Sequence, residues 1–587
     1  MSSRSRDCSS IGGSSSMVGT AAEEEDPTVI HHPAAEDNAA EKDALKEIDQ
    51  DDDGLRNKKQ ILVKVLLFFG LQLSLFLSVL DETIVATTLP KIGSDFQAMT
   101  ISSWIANSYI LAFDSTQPIF SKLADIFGRK AVLLTGIAIF LFGSVLCGAA
   151  QNMIWLIVCR AVQGIGGGGV FSMVFVVIAD LVPLKKRGTY QGLTNAVFAL
   201  GGVCGPLIGG ALTDNATWRW NFYINLPLGG FAFAIMIIFL RLPMEHENMK
   251  QKFKRIDYLG NLLCLAATVL FLLALNFGGQ TFPWGSAAVI APLVLTGVLF
   301  GVLVFVEIKV AKEPLFPPRL FLLRSVVALS LLNLFSGIVF FGVVYYLPIY
   351  FQIVRGNSAT WSGIRLIPMQ LLISVFSTLT GVAISKFAVY RSVTWYGTAI
   401  VTLALGLFQL FQTNTDWSLI YGLTVLLGAG QGAVFSGTFI AMQAAVEPRD
   451  IAVALGLTNF VRVLGGALGI AVASATLNST LHEDLPSVIP LEYISDVLEY
   501  PESLRTILPA DYVQPVIEIY VRALHIVWYV LTAMSAASFV CSLAVKYHPF
   551  NQHESKQEQQ EDISEQSDHH SAINVNTQNQ DKQHSDR

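Results

Sequence analysis

Four ionisable residues stand where ionisable residues are costly. Asp81, Glu82, Asp114 and Arg160 each interrupt a long apolar run. At the centre of a bilayer a charged side chain costs about 2.5–3.5 kcal/mol. Such a group must pair, face a cavity or, if it is a carboxylate, bind a proton. Arg160 keeps its charge. It can therefore help a facing carboxylate release a proton, or it can simply anchor a structural network. Asp81 and Asp114 are its candidate partners, and spacing does not choose between them. Asp81 and Glu82 are adjacent, so on a helix they point about 100° apart and serve different partners. Asp114 is either a local proton or ligand site or a cavity-facing residue without a role.

A second set of residues could hold an apolar ligand. Tyr345, Tyr346 and Tyr350 lie in FFGVVYYLPIYFQ. They suit the lining of an apolar pocket and equally an interfacial aromatic belt. Arg462 lies midway along another apolar run. If it faces a cavity, it favours anionic or carbonyl-rich ligands.

The elements that must position these residues follow from composition. The chain has 587 residues, 52% of them hydrophobic and 14% charged. Soluble domains carry about 25% charged residues. Repeated apolar runs of about 20 residues mark membrane-spanning helices. Fourteen are expected, at 62–89, 101–122, 131–150, 153–179, 189–212, 220–240, 257–277, 286–308, 325–352, 362–384, 392–411, 418–443, 451–477 and 523–545. The tails 1–59 and 547–587 are polar and read as disordered and cytoplasmic. Asp49, Asp51, Asp53 and Gly54 imitate the start of a calcium loop, but its twelfth position is Gln60, so a solvated acidic tail is expected. Lys58, Lys59, Arg129, Lys130, Lys185, Lys186 and Arg187 fall in one set of loops, which the positive-inside rule assigns to the cytoplasm. The two N-x-S/T sequons, Asn215 and Asn478, fall in loops on the other side and are candidate N-glycosylation sites.

The chain repeats itself. Gly164–Ser172 (GIGGGGVFS) matches Gly428–Ser436 (GAGQGAVFS), and Gly192–Gly202 (GLTNAVFALGG) matches Gly456–Gly466 (GLTNFVRVLGG). Both pairs lie 264 residues apart. The expected fold is therefore all-α: two six-helix bundles, 60–241 and 321–546, with two inserted helices within 242–320 and an external loop at 478–522. Two related bundles with a site between them form an alternating-access architecture. The repeat is chemically uneven, since Pro206 maps to Ile470 and Arg160 to Thr424.

Gly192, Gly201, Gly205, Pro206, Gly209 and Gly210 cluster on a stretch that should be helical. Bare backbone lets helices approach closely in lipid, and a proline bends the helix. The spacing resembles the antiporter motif of the major facilitator superfamily. Asp81 in LSVLDETIVATTLP resembles the first-helix motif of its fourteen-helix drug:proton antiporters, and Arg160 with Gln163, Gly164 and Gly166 resembles their fourth-helix motif. That resemblance implies proton coupling and favours Asp81 over Glu82 as its carrier. SKLADIFGRK resembles the family's cytoplasmic loop motif, with Asp125, Gly128, Arg129 and Lys130 in place. Ser121 replaces its leading glycine, which should loosen helix contact there. Asp125 should pair with Arg129 or Lys130, a cluster suited to latching one conformation. WRWNFYINLPLGG, Trp218–Gly230, is similar to fungal toxin-efflux members.

The resemblance implies a secondary transporter that exports hydrophobic small molecules, such as toxins or drugs, in exchange for protons. Alternatives are an uptake or vacuolar permease for siderophores or basic amino acids, and a membrane receptor that does not transport. No GxxxxGK[ST] phosphate loop and no nucleophile–base or metal set appears, so neither an ATP-driven pump nor an enzyme is expected. The expected partners are the bilayer, protons and a small hydrophobic cargo. No cofactor, metal or nucleic acid is called for, and the chain should act as a monomer in the plasma membrane.

Overall fold

The computed structural model describes residues 61–85, 88–98, 101–102, 104–240, 255–278, 282–499 and 504–548. The two tails and the calcium-loop imitation lie outside these residues. Contacts divide the chain into Met1–Lys64, of which only 61–64 are described, and Val65–Arg587. Among the described residues thirteen helices are long and apolar enough to cross a membrane. Those used below are α1 (Ile61–Ile84), α3 (Arg129–Gly148), α4 (Met153–Leu181), α5 (Leu184–Asn215), α6 (Asn225–Phe239), α7 (Tyr258–Phe277) and α8 (Ala287–Lys309). They continue with α9 (Arg324–Ile349), α10 (Ala359–Phe387), α11 (Tyr390–Leu407), α12 (Trp417–Ala445), α13 (Ile451–Asp484) and α14 (Ala510–Leu543). The fourteenth long helix, α2 (Trp104–Phe127), carries Asp114, Gln117, Lys122 and Asp125 and is the more polar for it. Two six-helix bundles, α1–α6 and α9–α14, flank the inserted pair α7–α8.

The sequence signals that end these helices are visible locally. Asn152 caps α4 by accepting a hydrogen bond from the Trp155 amide at 2.9 Å. Gly128 precedes α3 with φ of 88°, a conformation that disfavours a side chain. Asp257 caps α7 through the Gly260 amide at 2.8 Å.

The glycine repeat becomes a symmetrical packing rule. A side chain at Gly201 would strike Val79, and one at Gly205 would strike Thr83, both on α1. Their equivalents 264 residues on, Gly465 and Gly469, lie against the Leu334 and Ile338 backbone of α9. Gly192 faces the Thr378 backbone of α10 in the other half, and its equivalent Gly456 faces Ser121 of α2. The motif is thus split. Its middle glycines seat α5 on α1, and its first glycine meets the opposite bundle. Gly210 has open space beside it. Buried Gly209 offers its carbonyl to Thr213 Oγ1 at 2.7 Å. Helix α5 runs unbroken through Pro206.

Two expectations need correction. The loop 478–522 is much shorter than its polarity suggested, because α13 continues to Asp484 and α14 starts at Ala510. Leu481, Leu485, Val516, Ile517 and Tyr520 are buried in the second half's core, and that burial extends both helices. As a result Asn478 sits within α13, donating to Ser474 Oγ at 3.4 Å, rather than in a loop. Asn215 is the exposed last residue of α5.

The other correction concerns Ser121. It does not loosen its contact; it is buried directly against Gly456, so the bare position has moved to the partner helix.

Candidate functional site

The centre of the first half is a dense polar knot in which every Asp81 oxygen is engaged. Asp81 and Arg160 are fully buried and paired, Arg160 Nη1 donating to Asp81 Oδ2. The other carboxylate oxygen, Oδ1, accepts from Gln163 Nε2 and from Asn225 Nδ2, each at 2.8 Å. Arg160 also donates through Nε to the Ile105 carbonyl at 3.1 Å and through Nη1 to Gln163 Oε1 at 2.8 Å. Ser144 Oγ accepts from Gln163 at 2.7 Å and from Asn225 at 3.1 Å. The guanidinium lies over the Tyr109 ring, 4.2 Å from its centroid. Residues of α1, α2, α3, α4 and α6 meet here. The i, i+3 spacing of Arg160 and Gln163 aims both at Asp81 from one face of α4. A buried charge pair is stable when its remaining hydrogen-bonding positions are filled, as they are here. Of the two candidate partners, Arg160 takes Asp81 and not Asp114.

Glu82, one residue on, turns away as the 100° step requires. It lines a cavity of about 210 Å³ together with Asp114 and Arg462. That is more than ten times the space one water needs. The cavity walls come from both halves: Phe113, Phe171, Phe175 and Phe198 from the first, Phe340, Phe341 and Phe435 from the second. Asp114 is buried, and Gln117 Nε2 approaches its Oδ1 at 3.5 Å. Among the described residues neither Glu82 nor Asp114 has a salt bridge. Arg462 donates to Asn459 Oδ1 at 3.0 Å and lies over the rings of Phe435 and Phe439 at 4.8 and 5.1 Å. Among the described residues it has no carboxylate partner either.

The three tyrosines separate. Tyr345 is half exposed and lines the cavity. Tyr346 is buried and donates to the Ile470 carbonyl at 3.4 Å. Tyr350 is buried against Phe411 and donates to the Gln412 carbonyl at 2.8 Å. The latter two are core: Tyr346 points about 100° away from its neighbour Tyr345, and Tyr350, in the π-helical turn Tyr350–Val354 that follows α9, lies one turn beyond Tyr346.

Asparagine and glutamine in apolar runs were the signal that sequence reasoning passed over. Asn107, Asn195, Asn276 and Gln370 all line the cavity.

The cavity is sealed toward the end of the bundle that holds the Asp125 motif. Phe175 and Phe439 stack there with centroids 5.0 Å apart. They are equivalent residues of the two halves. Asn195 of the cavity wall donates to Ser377, and closer to that end Arg187 Nη1 donates to Gln443 Oε1 at 3.1 Å and the Thr189 amide donates to Ser385 Oγ at 3.3 Å. Gly188 and Gly381 bring α5 and α10 into backbone contact. The motif itself is assembled. Arg129 contacts Asp125 at 3.3 Å and Asp180 at 2.8 Å, and Lys130 Nζ reaches the Ile237 carbonyl at 2.7 Å. Asp125 therefore pairs with Arg129, while Lys130 serves the end of α6.

With this geometry in hand, comparison with known proteins is informative. The family model described as Major Facilitator Superfamily matches residues 71–470. The efflux pump dotC of Dothistroma septosporum is 36% identical over 507 residues, covering 84% of this chain and 86% of that one. The MFS-type efflux pump MFS1 of Trichophyton rubrum is 35% identical over 483 residues, covering 81% and 90%. The crystal structure of the human organic anion transporter MFSD10 (TETRAN) superposes with a TM-score of 0.56 at 13% identity, covering 82% of this chain and 99% of that one. That last likeness speaks for the fold alone.

Proposed function

The chain belongs to the major facilitator superfamily, and from that premise we propose that it exports hydrophobic, largely aromatic small molecules in exchange for protons. It is a multi-pass membrane transporter rather than an enzyme. One observation carries the coupling: Glu82 and Asp114 share an aromatic cavity between the bundles, without a salt bridge among the described residues. A carboxylate held so is best accommodated in lipid by loading it with a proton. We assign proton exchange to this pair. Asp81 and Arg160 hold the helices that present it, because every oxygen of Asp81 is already engaged. Arg462, the cation of the same cavity, suits a carbonyl or acidic oxygen on the cargo and disfavours cationic cargo such as basic amino acids.

The clustering of Lys and Arg supports an Asp125 end, and both chain termini, on the cytoplasmic side of the membrane. The conformer is then the one closed to the cytoplasm, and the Asp125–Arg129–Asp180 cluster together with the Arg187–Gln443 contact is its latch. The glycines that meet the opposite half, Gly192, Gly456, Gly188 and Gly381, are the surfaces on which the bundles rock, while Gly201, Gly205, Gly465 and Gly469 keep each bundle tightly packed. Asn215, exposed at a helix end, is the better presented of the two glycosylation candidates. One proton entering down 100 mV and one pH unit releases about 3.7 kcal/mol. That sustains roughly a 500-fold gradient of neutral cargo at one-for-one exchange.

The test is accumulation of a fluorescent hydrophobic probe, pyrene, in vesicles with an imposed pH gradient. Wild type should lose accumulation when a protonophore collapses the gradient. Glu82→Gln combined with Asp114→Asn should lose the response to pH while the protein stays folded. Gradient-independent accumulation by wild type would refute proton coupling. A normal pH response in the double variant would refute the choice of carriers.

A further inference from the structure

Helix α7 belongs to neither repeat, yet it stands in the cavity wall. It packs against α8, against α2 of the first half and against α13 of the second. Its outer partner α8 turns Val294, Val298 and Phe305 outward, as a lipid-facing helix does. The far end of α7 turns Leu272, Leu275 and Asn276 into the cavity. Asn107 of α2 donates Nδ2 to Asn276 Oδ1 at 3.2 Å. Beside this pair Trp104 meets Phe277 edge-on, with centroids 5.8 Å apart. An amide on a membrane helix needs a hydrogen-bonding partner. Asn276 finds one in Asn107, and one bond leaves the two amides with both donor and acceptor capacity to spare. They border a space otherwise walled largely by phenyl rings.

We infer that α7 is a wall of the cargo site, and that the Asn107–Asn276 amide pair is a subsite for a hydroxyl or carbonyl oxygen on an aromatic cargo. This rests on the export reading and deepens it, by giving recognition to a helix outside the two repeated bundles. The bundles supply rings, charges and the amides Asn195 and Gln370. The insert, through Asn276 paired with Asn107 of α2, adds a further neutral hydrogen-bonding edge that distinguishes an oxygenated ring system from a bare one. A site built to hydrogen-bond a cargo oxygen discriminates by leaving its own polar groups unpaired when that oxygen is missing.

Equilibrium binding to the purified full chain tests the subsite. The probes are pyrene and pyrenemethanol, which share a ring system and differ by a hydroxymethyl group. Asn276→Leu should weaken pyrenemethanol roughly three- to tenfold, the value of one neutral hydrogen bond, and leave pyrene within about twofold. Asn107→Leu should do the same, and it covers the case in which the first variant does not fold. Leu272→Trp, which adds bulk to the wall, should weaken both probes. Val298→Trp on the outward face of α8 should weaken neither. Equal effects of the Asn variants on the two probes, or none, would overturn the subsite. Unchanged binding in Leu272→Trp would overturn the wall. Binding needs no pH gradient, so these outcomes are distinct from failure of proton-driven export.

Discussion

The two six-helix halves are built on one plan and filled with different chemistry. In the first half a charged knot ties five helices together through Asp81, Arg160, Gln163, Asn225, Ser144 and the Ile105 carbonyl. At the matching position of α4's counterpart, α12, stands Thr424. The second half is held by neutral contacts and rings: Gln431 to Ser336 at 2.9 Å, Ser436 to the Ser377 carbonyl at 2.7 Å, and Tyr350 on Phe411. The ion pairs there among the described residues, Arg319–Asp450, Arg449–Glu447 and Arg522–Asp484, each have an exposed arginine, away from the core. The seams, by contrast, match glycine for glycine. Close backbone packing is shared by the halves, and what is charged at the core is not. A single locked ion pair leaves one half rigid enough to offer Glu82 and Asp114 to the cavity at fixed positions.

The sharpest way to break this comparison is to remove the knot's cation. Arg160→Ala orphans a buried carboxylate and should destabilise the protein by about 3–5 kcal/mol. Thr424→Ala, its counterpart, should cost about 1 kcal/mol. Thermal unfolding in detergent measures both, and equal losses would erase the proposed asymmetry.

The seams should behave oppositely, as a symmetrical pair. Gly205→Leu and Gly469→Leu each drive bulk into a neighbouring helix, at about 1–3 kcal/mol or more. Both should stop export in protein that still reaches the membrane, as read by vesicle accumulation beside a surface-expression blot. Full-rate export by either variant would show that close seam packing is dispensable in that half.

The smallest effects sharpen the reading of the second half. Tyr350→Phe should lose about 1 kcal/mol of stability and leave the relative affinities of different cargoes unchanged. Tyr345→Ala should alter those affinities instead. A change of cargo preference in Tyr350→Phe would return that residue to the site.

Much of this was legible before any coordinates. Lipid permits few backbone solutions, so apolar runs located the helices to within a few residues. The repeat located the halves, and adjacency separated Asp81 from Glu82. Whether Asp81 or Asp114 faced Arg160 was not decided by spacing, because it depends on how α1 and α2 are rotated about their axes. The favoured carrier was Asp81, and it proved to be the buried partner. The ends of α13 and α14 hid for a related reason. His482, Glu483 and Asp484 read as a loop, while Leu481 and Leu485 on either side are buried. The part of α7 in the cavity was hidden because an inserted pair has no counterpart in the repeat to compare with.

Ser121 and Gly456 carry a lesson about substitution in such molecules. Where two helices touch backbone to side chain, clearance belongs to the couple and not to either member. A hydroxymethyl on one is tolerated so long as the other contributes only hydrogen. A small side chain placed at Gly456 should therefore be relieved by Ser121→Gly, more than 300 residues away in the chain, and a motif position that looks degenerate can be intact in space.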